Sequence, residues 1–203
     1  MINVTITVSE AEVKRRLGTL ANKSGVVISR AANRAISTGK KAIKQETAKI
    51  YNVNQKDVDK ILKVEKATTA HPVVHMTYRD SHMNLAAFGK KSSLTPRYPI
   101  KSSSPYDPDP EYVKAKVMTG RGAVALQHGP KPFVQISKKS GVIGLFRRVD
   151  NSSRAPIRGV AAPALPQVIK NEEVIARFNR DVTGMFVKRL NHEIDQILKG
   201  KTR

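Results

Sequence analysis

Apolar and polar residues alternate from Ile2 to Val8 in INVTITV, and this period of two predicts a half-buried strand. Ser9 then stands as a helix cap with Glu12 at the capping-box position. Val13, Leu17 and Leu20 mark one side of the helix that follows, which should reach about Ala21 before Gly25 interrupts the pattern. From Val26 to Tyr51 the period becomes that of a long helix. Ile28, Ala32, Ala35, Ile36, Gly39, Ala42 and Ile43 share a face of small residues that a partner element can approach closely. Asn52 is placed to end this helix in a left-handed conformation, and Asn54 to cap a short helix reaching Leu62.

The period then shortens. KVEKATT, PVVHMTY and NLAAF, between Lys63 and Phe88, read as extended segments. A Pro- and Ser-rich connection from Gly89 to Pro110 separates them from EYVKAKVM, AVALQ, PFVQIS and GVIGLFRRV. These are four further strand candidates, with SKKSG as a hairpin turn between the last two. Asp150–Gln167 carries three prolines and predicts a mostly extended linker. Asn171 caps a final helix to about Leu198. Val174, Phe178, Val182 and Met185 form its first face, and Leu190, Ile194 and Ile197 a rotated second one, so a bend or a change of packing partner is expected near Gly184. The expected fold class is α+β in one domain. A long N-terminal helix and a C-terminal helix pack on an antiparallel sheet, and two extended arms, 89–110 and 150–167, leave the body.

Charge changes this picture most. Thirty-seven Lys and Arg stand against 16 Asp and Glu, a formal net charge of +21. Residues 1–63 hold 13 basic and 5 acidic residues and residues 79–170 hold 16 and 5, whereas residues 171–203 hold only 7 and 5. Such an excess repels itself in a compact chain and favours a polyanionic neighbour. With no Cys, thiolate metal sites, disulfides and cysteine nucleophiles are excluded. The first residues lack the pattern of a signal peptide and no stretch reads as a membrane span, so a soluble protein made in a cytoplasm and without membrane contact is expected.

Arg30, Arg34, Lys41 and Lys44 fall on one side of the long helix and are the first candidates for contact with a phosphate backbone. Lys90, Lys91, Arg97 and Lys101 on the first arm are the second set. The Ala31–Leu62 corner also fits a DNA-reading helix-turn-helix, whose reading face would be Asn54, Gln55, Lys56, Asp59 and Lys60. Asp57 and Asp59 would then sit near phosphates, and any tight helical corner needs the same small residues, so a scaffold with a basic side is the better reading.

Catalytic and metal chemistry find little footing. His71, His75 and His82 have only Asp80 to complete a ligand set. HEIDQ at His192 places Gln196 where a zinc helix needs its second His, and GRGAVA at Gly120 precedes no crossover helix. The carboxylates of DPDPE sit on a proline-locked loop, suited to docking on a basic neighbour rather than to acid–base work. No nucleophile–base pair stands out, so no enzyme activity, metal or cofactor is expected.

The ordered set of features resembles the minor tail protein Z family of tailed phages and prophages, lambda-like tail completion proteins. A basic Ala-rich helix (AANRAISTGKKAIKQETAK) leads to a short helix and the LKVEKAT strand. FVQISKKSGVIGLFRR, a proline-bearing linker and an amphipathic C-terminal helix then follow. The likeness spans about Val26 to Leu198 and lies in order and pattern; the 89–110 arm departs from it. The resemblance implies a structural virion protein at the head-proximal end of the tail. Its partners would be further copies of itself in a hexameric ring, tail terminator or tail tube proteins, head–tail connector proteins and the tape-measure protein, with non-specific DNA contact in the lumen.

Overall fold

In the computed structural model, described here over residues 9–79, 84–88, 114–126, 132–136, 143–149 and 156–200, the chain is an α+β protein. Its described residues cluster into two compact units, neither of them continuous in sequence: 1–46 with 56–79 and 169–203, and 47–55 with 80–168. The Ile2–Val8 strand, the SKKSG turn, the first arm and the start of the second lie outside the described residues.

The first unit is built on helices. Helix α1 (Glu10–Leu17) begins as its sequence requires, with the Ser9 side chain accepting from the Glu12 N–H. Gly18 closes it at φ +56°, where a side chain would be strained, and a 3-10 segment, Gly18–Lys23, replaces the expected last turn. Helix α2 (Ser24–Ile50) starts earlier than its periodicity suggests. Gly25 lies inside it as a point of close approach, since a Cβ there would strike the Thr69 carbonyl oxygen. Helix α3 (Gln55–Lys60) buries Val58 and leads into β1 (Leu62–Glu65), which pairs antiparallel with β2 (His75–Tyr78). Asn33 of α2 clasps the chain beyond β1 in both directions: its amide donates to the Ala67 carbonyl, and its oxygen accepts from the Ala67 N–H, each at 2.9 Å.

Helix α5 (Glu172–Leu198), capped by the Asn171 side chain on the Glu173 N–H, runs antiparallel to α2. Arg30 meets Glu193, Gly39 meets Phe178 and Val182, and Glu46 meets Arg177. Its buried stripe of Val174, Phe178, Val182, Phe186, Leu190, Ile194 and Ile197 is continuous. Steps of four residues advance 40° past a full turn, so the stripe winds gradually around α5 and uses Phe186 in place of Met185. The helix continues through Gly184, which is exposed with nothing within 4 Å of a Cβ built there. Gly184→Ala is accordingly expected to stabilise the chain by about 1 kcal/mol, read from chemical denaturation.

The second unit holds two small sheets where one was expected. β3 (Lys114–Ala115) pairs with β4 (Val124–Ala125), and β5 (Phe133–Ile136), β6 (Ile143–Arg148) and β7 (Ile157–Gly159) form an antiparallel sheet in that order. β7 lies within the stretch anticipated as a linker arm. Leu85, Phe88, Ala115, Leu145, Ala162 and Val168 make this unit's core. Asn84 ties the short 3-10 turn Leu85–Ala87 to β6, donating to the Leu145 carbonyl and accepting from the Leu145 N–H, both at 2.8 Å. Asn52 does not turn left-handed, since no non-glycine residue among those described has positive φ. Instead its N–H donates to Val117 O and its amide to Lys116 O. Helix α4 (Leu165–Ile169) ends the stretch anticipated as extended.

Candidate functional site

Helix α2 turns most of its circumference inward. Ala31, Ala32, Ala35, Ile36, Ala42 and Ile43 are buried, and so are Glu46 and Thr47. The strip left outside carries Arg30, Arg34, Ser37 and Lys41 exposed, with Lys44 half-buried at its end. The periodicity therefore places the four candidate cations on one side, as expected, but they are not equivalent. Arg30 lies 3.6 Å from the carboxylate of Glu193, which also holds Arg189 at 3.0 Å. Lys44 shares Asp59 with Lys40, each at 3.0 Å. Among the described residues, Arg34 and Lys41 make no ion pair.

The reading face drawn for α3 is also redistributed. Asp59 does not face outward but back onto α2, where the Lys44 and then the Lys40 ammonium hold its carboxyl below the usual carboxylate range. Lys60 is drawn onto Asp57 at 2.8 Å, which raises its pKa. Gln55 and Lys56 stay exposed on a helix of six residues, about 9 Å long. Two of the five side chains proposed to meet bases are thus occupied in ion pairs.

Lys90, Lys91, Arg97 and Lys101 lie outside the described residues, as does His82. His71 and His75 are exposed, and among the described residues no three His, Asp or Glu side chains are grouped to hold a metal.

The described residues of the two units differ in charge. In the first, the carboxylates of Glu10, Glu12, Glu46, Asp57, Asp59, Glu65, Asp181 and Glu193 all have a Lys or Arg partner. Three of the second unit's described segments, 114–126, 143–149 and 156–168, contain Lys114, Lys116, Arg121, Arg147, Arg148 and Arg158, and no Asp or Glu. Its other described residues add Lys49 and again no Asp or Glu. Sequence periodicity does not reveal the first unit's pairings, because they depend on which carboxylates the fold brings near which cations.

Among the described residues no helix is long and apolar enough to cross a membrane. Comparison with protein-family models, with curated proteins and with solved structures finds no match.

Proposed function

We propose that the chain is a structural protein of a tailed-phage or prophage virion. It completes the head-proximal end of the tail and joins it to the head connector, as a ring of copies around DNA or the end of the tape-measure protein. The observation that carries this reading is the order of elements. A long basic small-residue helix, a short helix, a hairpin, further antiparallel strands and a long amphipathic C-terminal helix follow one another in the sequence on which the family resemblance rests. The net charge of +21 supports a polyanionic neighbour, and the Arg34–Lys41 strip supplies cations with no internal carboxylate to neutralise them among the described residues. The same geometry weighs against an operator-reading helix-turn-helix, whose α3 has committed Asp59 and Lys60 to ion pairs.

Contact of this kind follows backbone charge, not base identity. Arg34→Gln with Lys41→Gln is expected to weaken binding to unrelated duplexes equally and to lower the salt slope of log K by about 2. The unfolding midpoint should stay unchanged, because neither residue takes part in an ion pair among those described. Duplex titration across a salt series reads both effects, and a marked preference for one duplex sequence would reverse the assignment. The virion role itself is tested by labelling the chain in assembled particles. Label at the head-proximal end of the tail is expected, and particles devoid of the chain contradict the proposal.

A further inference from the structure

The register of β6 and β7 sets two arginines side by side. The Val149 N–H donates to the Pro156 carbonyl at 3.1 Å, and the Val160 N–H to the Leu145 carbonyl at 2.9 Å. Hydrogen-bonded pairs recur at every second residue of an antiparallel ladder. Arg147 and Arg158, midway between those two pairs, are therefore a hydrogen-bonded pair themselves, with Cα atoms about 5.5 Å apart. Alternation along β6 puts Arg147 between Leu145, which is wholly buried, and Val149, which is exposed. The pair thus sits at the rim of the unit's core. Arg148 and the two phenylalanines, Phe133 and Phe146, belong to the opposite face of the sheet.

Like charges placed directly opposite each other destabilise a sheet. No Asp or Glu among the described residues of this unit offsets them. Arg147 is half-buried, and its Nε is shut off from solvent without an acceptor among the described residues, which adds a second cost. Neither of its Nη nitrogens is closed off in this way, so the end of the fork stays open beside the exposed Arg158. An edge strand is guarded against further pairing by a single outward cation. Arg158 alone would serve for that; a second arginine opposite it, on the central strand, adds nothing to the guard.

The repulsion reverses when one anion lies between the two heads. Each guanidinium is a planar fork that offers parallel donors to oxygen. A carboxylate brings two oxygens and one charge, which a single fork satisfies. A phosphate monoester brings three terminal oxygens and a charge of about −1.5 to −2 at pH 7, which matches two forks. We infer that Arg147 and Arg158 together hold one phosphate monoester, the group carried by the end of a nucleic-acid strand and by small phosphorylated metabolites. The site lies wholly within the second unit, and it depends on neither the tail assignment nor the Arg34–Lys41 strip.

The test uses the full chain and fluorescence anisotropy of two 3′-labelled oligo(dT) strands, one ending in a 5′-phosphate and one in a 5′-hydroxyl. Their internal phosphates are the same, so contacts with the rest of the cationic surface cancel. The 5′-phosphate strand is expected to bind about tenfold more tightly, and Arg158→Gln to reduce that preference to within about twofold. Arg158→Gln should also raise the unfolding midpoint in phosphate-free buffer, because it removes the repulsion, so a lost preference is not lost folding. In the unaltered chain the 5′-phosphate strand should protect Arg147 and Arg158 from phenylglyoxal more than the 5′-hydroxyl strand does, as mapped by mass spectrometry. Phenyl phosphate separates the two sources. Competition at concentrations near those of the strand assigns the site to small monoesters, competition only by phosphate-ended strands assigns it to nucleic-acid ends, and either supports the shared chemistry. Equal binding of the two strands, protection confined to other arginines, or a peptide of residues 104–111, which carries DPDPE, binding as tightly as the phosphate end would each overturn the inference.

Discussion

Gly39→Ala is expected to destabilise the helical unit by about 2 kcal/mol, although alanine is the better helix former by about 1 kcal/mol. Gly39 lies in the middle of α2, where a glycine costs backbone entropy, and the fold gives the reason for it. A Cβ at this position would lie 2.5 Å from Phe178 Cε2 and closer still to Val182 Cγ2, both buried side chains of α5. Neither neighbour is the free end of a flexible chain. The two helices must therefore separate locally, and the van der Waals contacts along the antiparallel pair weaken together. Gly39→Leu should prevent the pairing altogether. Val182→Ala opens room beside the added methyl, so Gly39→Ala with Val182→Ala should lose less than the sum of the single changes. Denaturant titration followed by far-UV circular dichroism reads all three, with Gly184→Ala as the contrasting helical glycine. If Gly39→Ala unfolds at the same denaturant concentration as the unaltered chain, α2 and α5 do not approach as described.

The small-residue face of α2 was legible because a helix that must pass close to another displays it every three or four residues. The Ser9 and Asn171 caps were legible for a similar reason: capping is local, and both partners lie within a few residues. What failed was non-local or misread through proline. Asn52 looks like a left-handed stop, but its actual partners, Lys116 and Val117, are distant in sequence, so no local rule finds them. β7 is three exposed residues whose only claim to strand conformation is the β6 edge it meets. Helix α4 was hidden by Pro166, which reads as a breaker although a helix's first turn needs no proline N–H. Its start was in fact encoded: Gln167 reaches back to accept from the Ala164 N–H, as the second half of a capping box does.

The cationic strip was half legible. Helical period alone puts Arg30, Arg34, Lys41 and Lys44 together, but it cannot show that Glu193 and Asp59 would neutralise the two ends. Net charge per segment misleads in the same way. The region from 171 to 203 looked nearly neutral, yet Glu193 is buried between Arg30 and Arg189 and acts within the unit. The second unit's sheet was read as strands with a hairpin and no chemistry. Its register, which sets Phe133 against Phe146 and Arg147 against Arg158, appears only once the strands are paired.

Arg177→Met should lower the unfolding midpoint of the helical unit by roughly 5–10 °C at neutral pH. Glu46 lies on the buried side of α2 with 6% of its side chain exposed, and Arg177 Nη1 donates to its Oε2 at 2.6 Å. That hydrogen bond is the main reason the Arg177 pKa is raised, with Asp181 contributing less. Methionine keeps the aliphatic stem and removes the donor, so the buried carboxylate loses its 2.6 Å charge-assisted hydrogen bond. Glu46→Leu with Arg177→Met removes both charges and should recover most of the loss, since a buried pair replaced by apolar groups is often neutral. Thermal unfolding of the single and double variants separates these outcomes. A double variant no better than Arg177→Met alone would mean that Arg177 contributes packing and that Glu46 is not held by its charge.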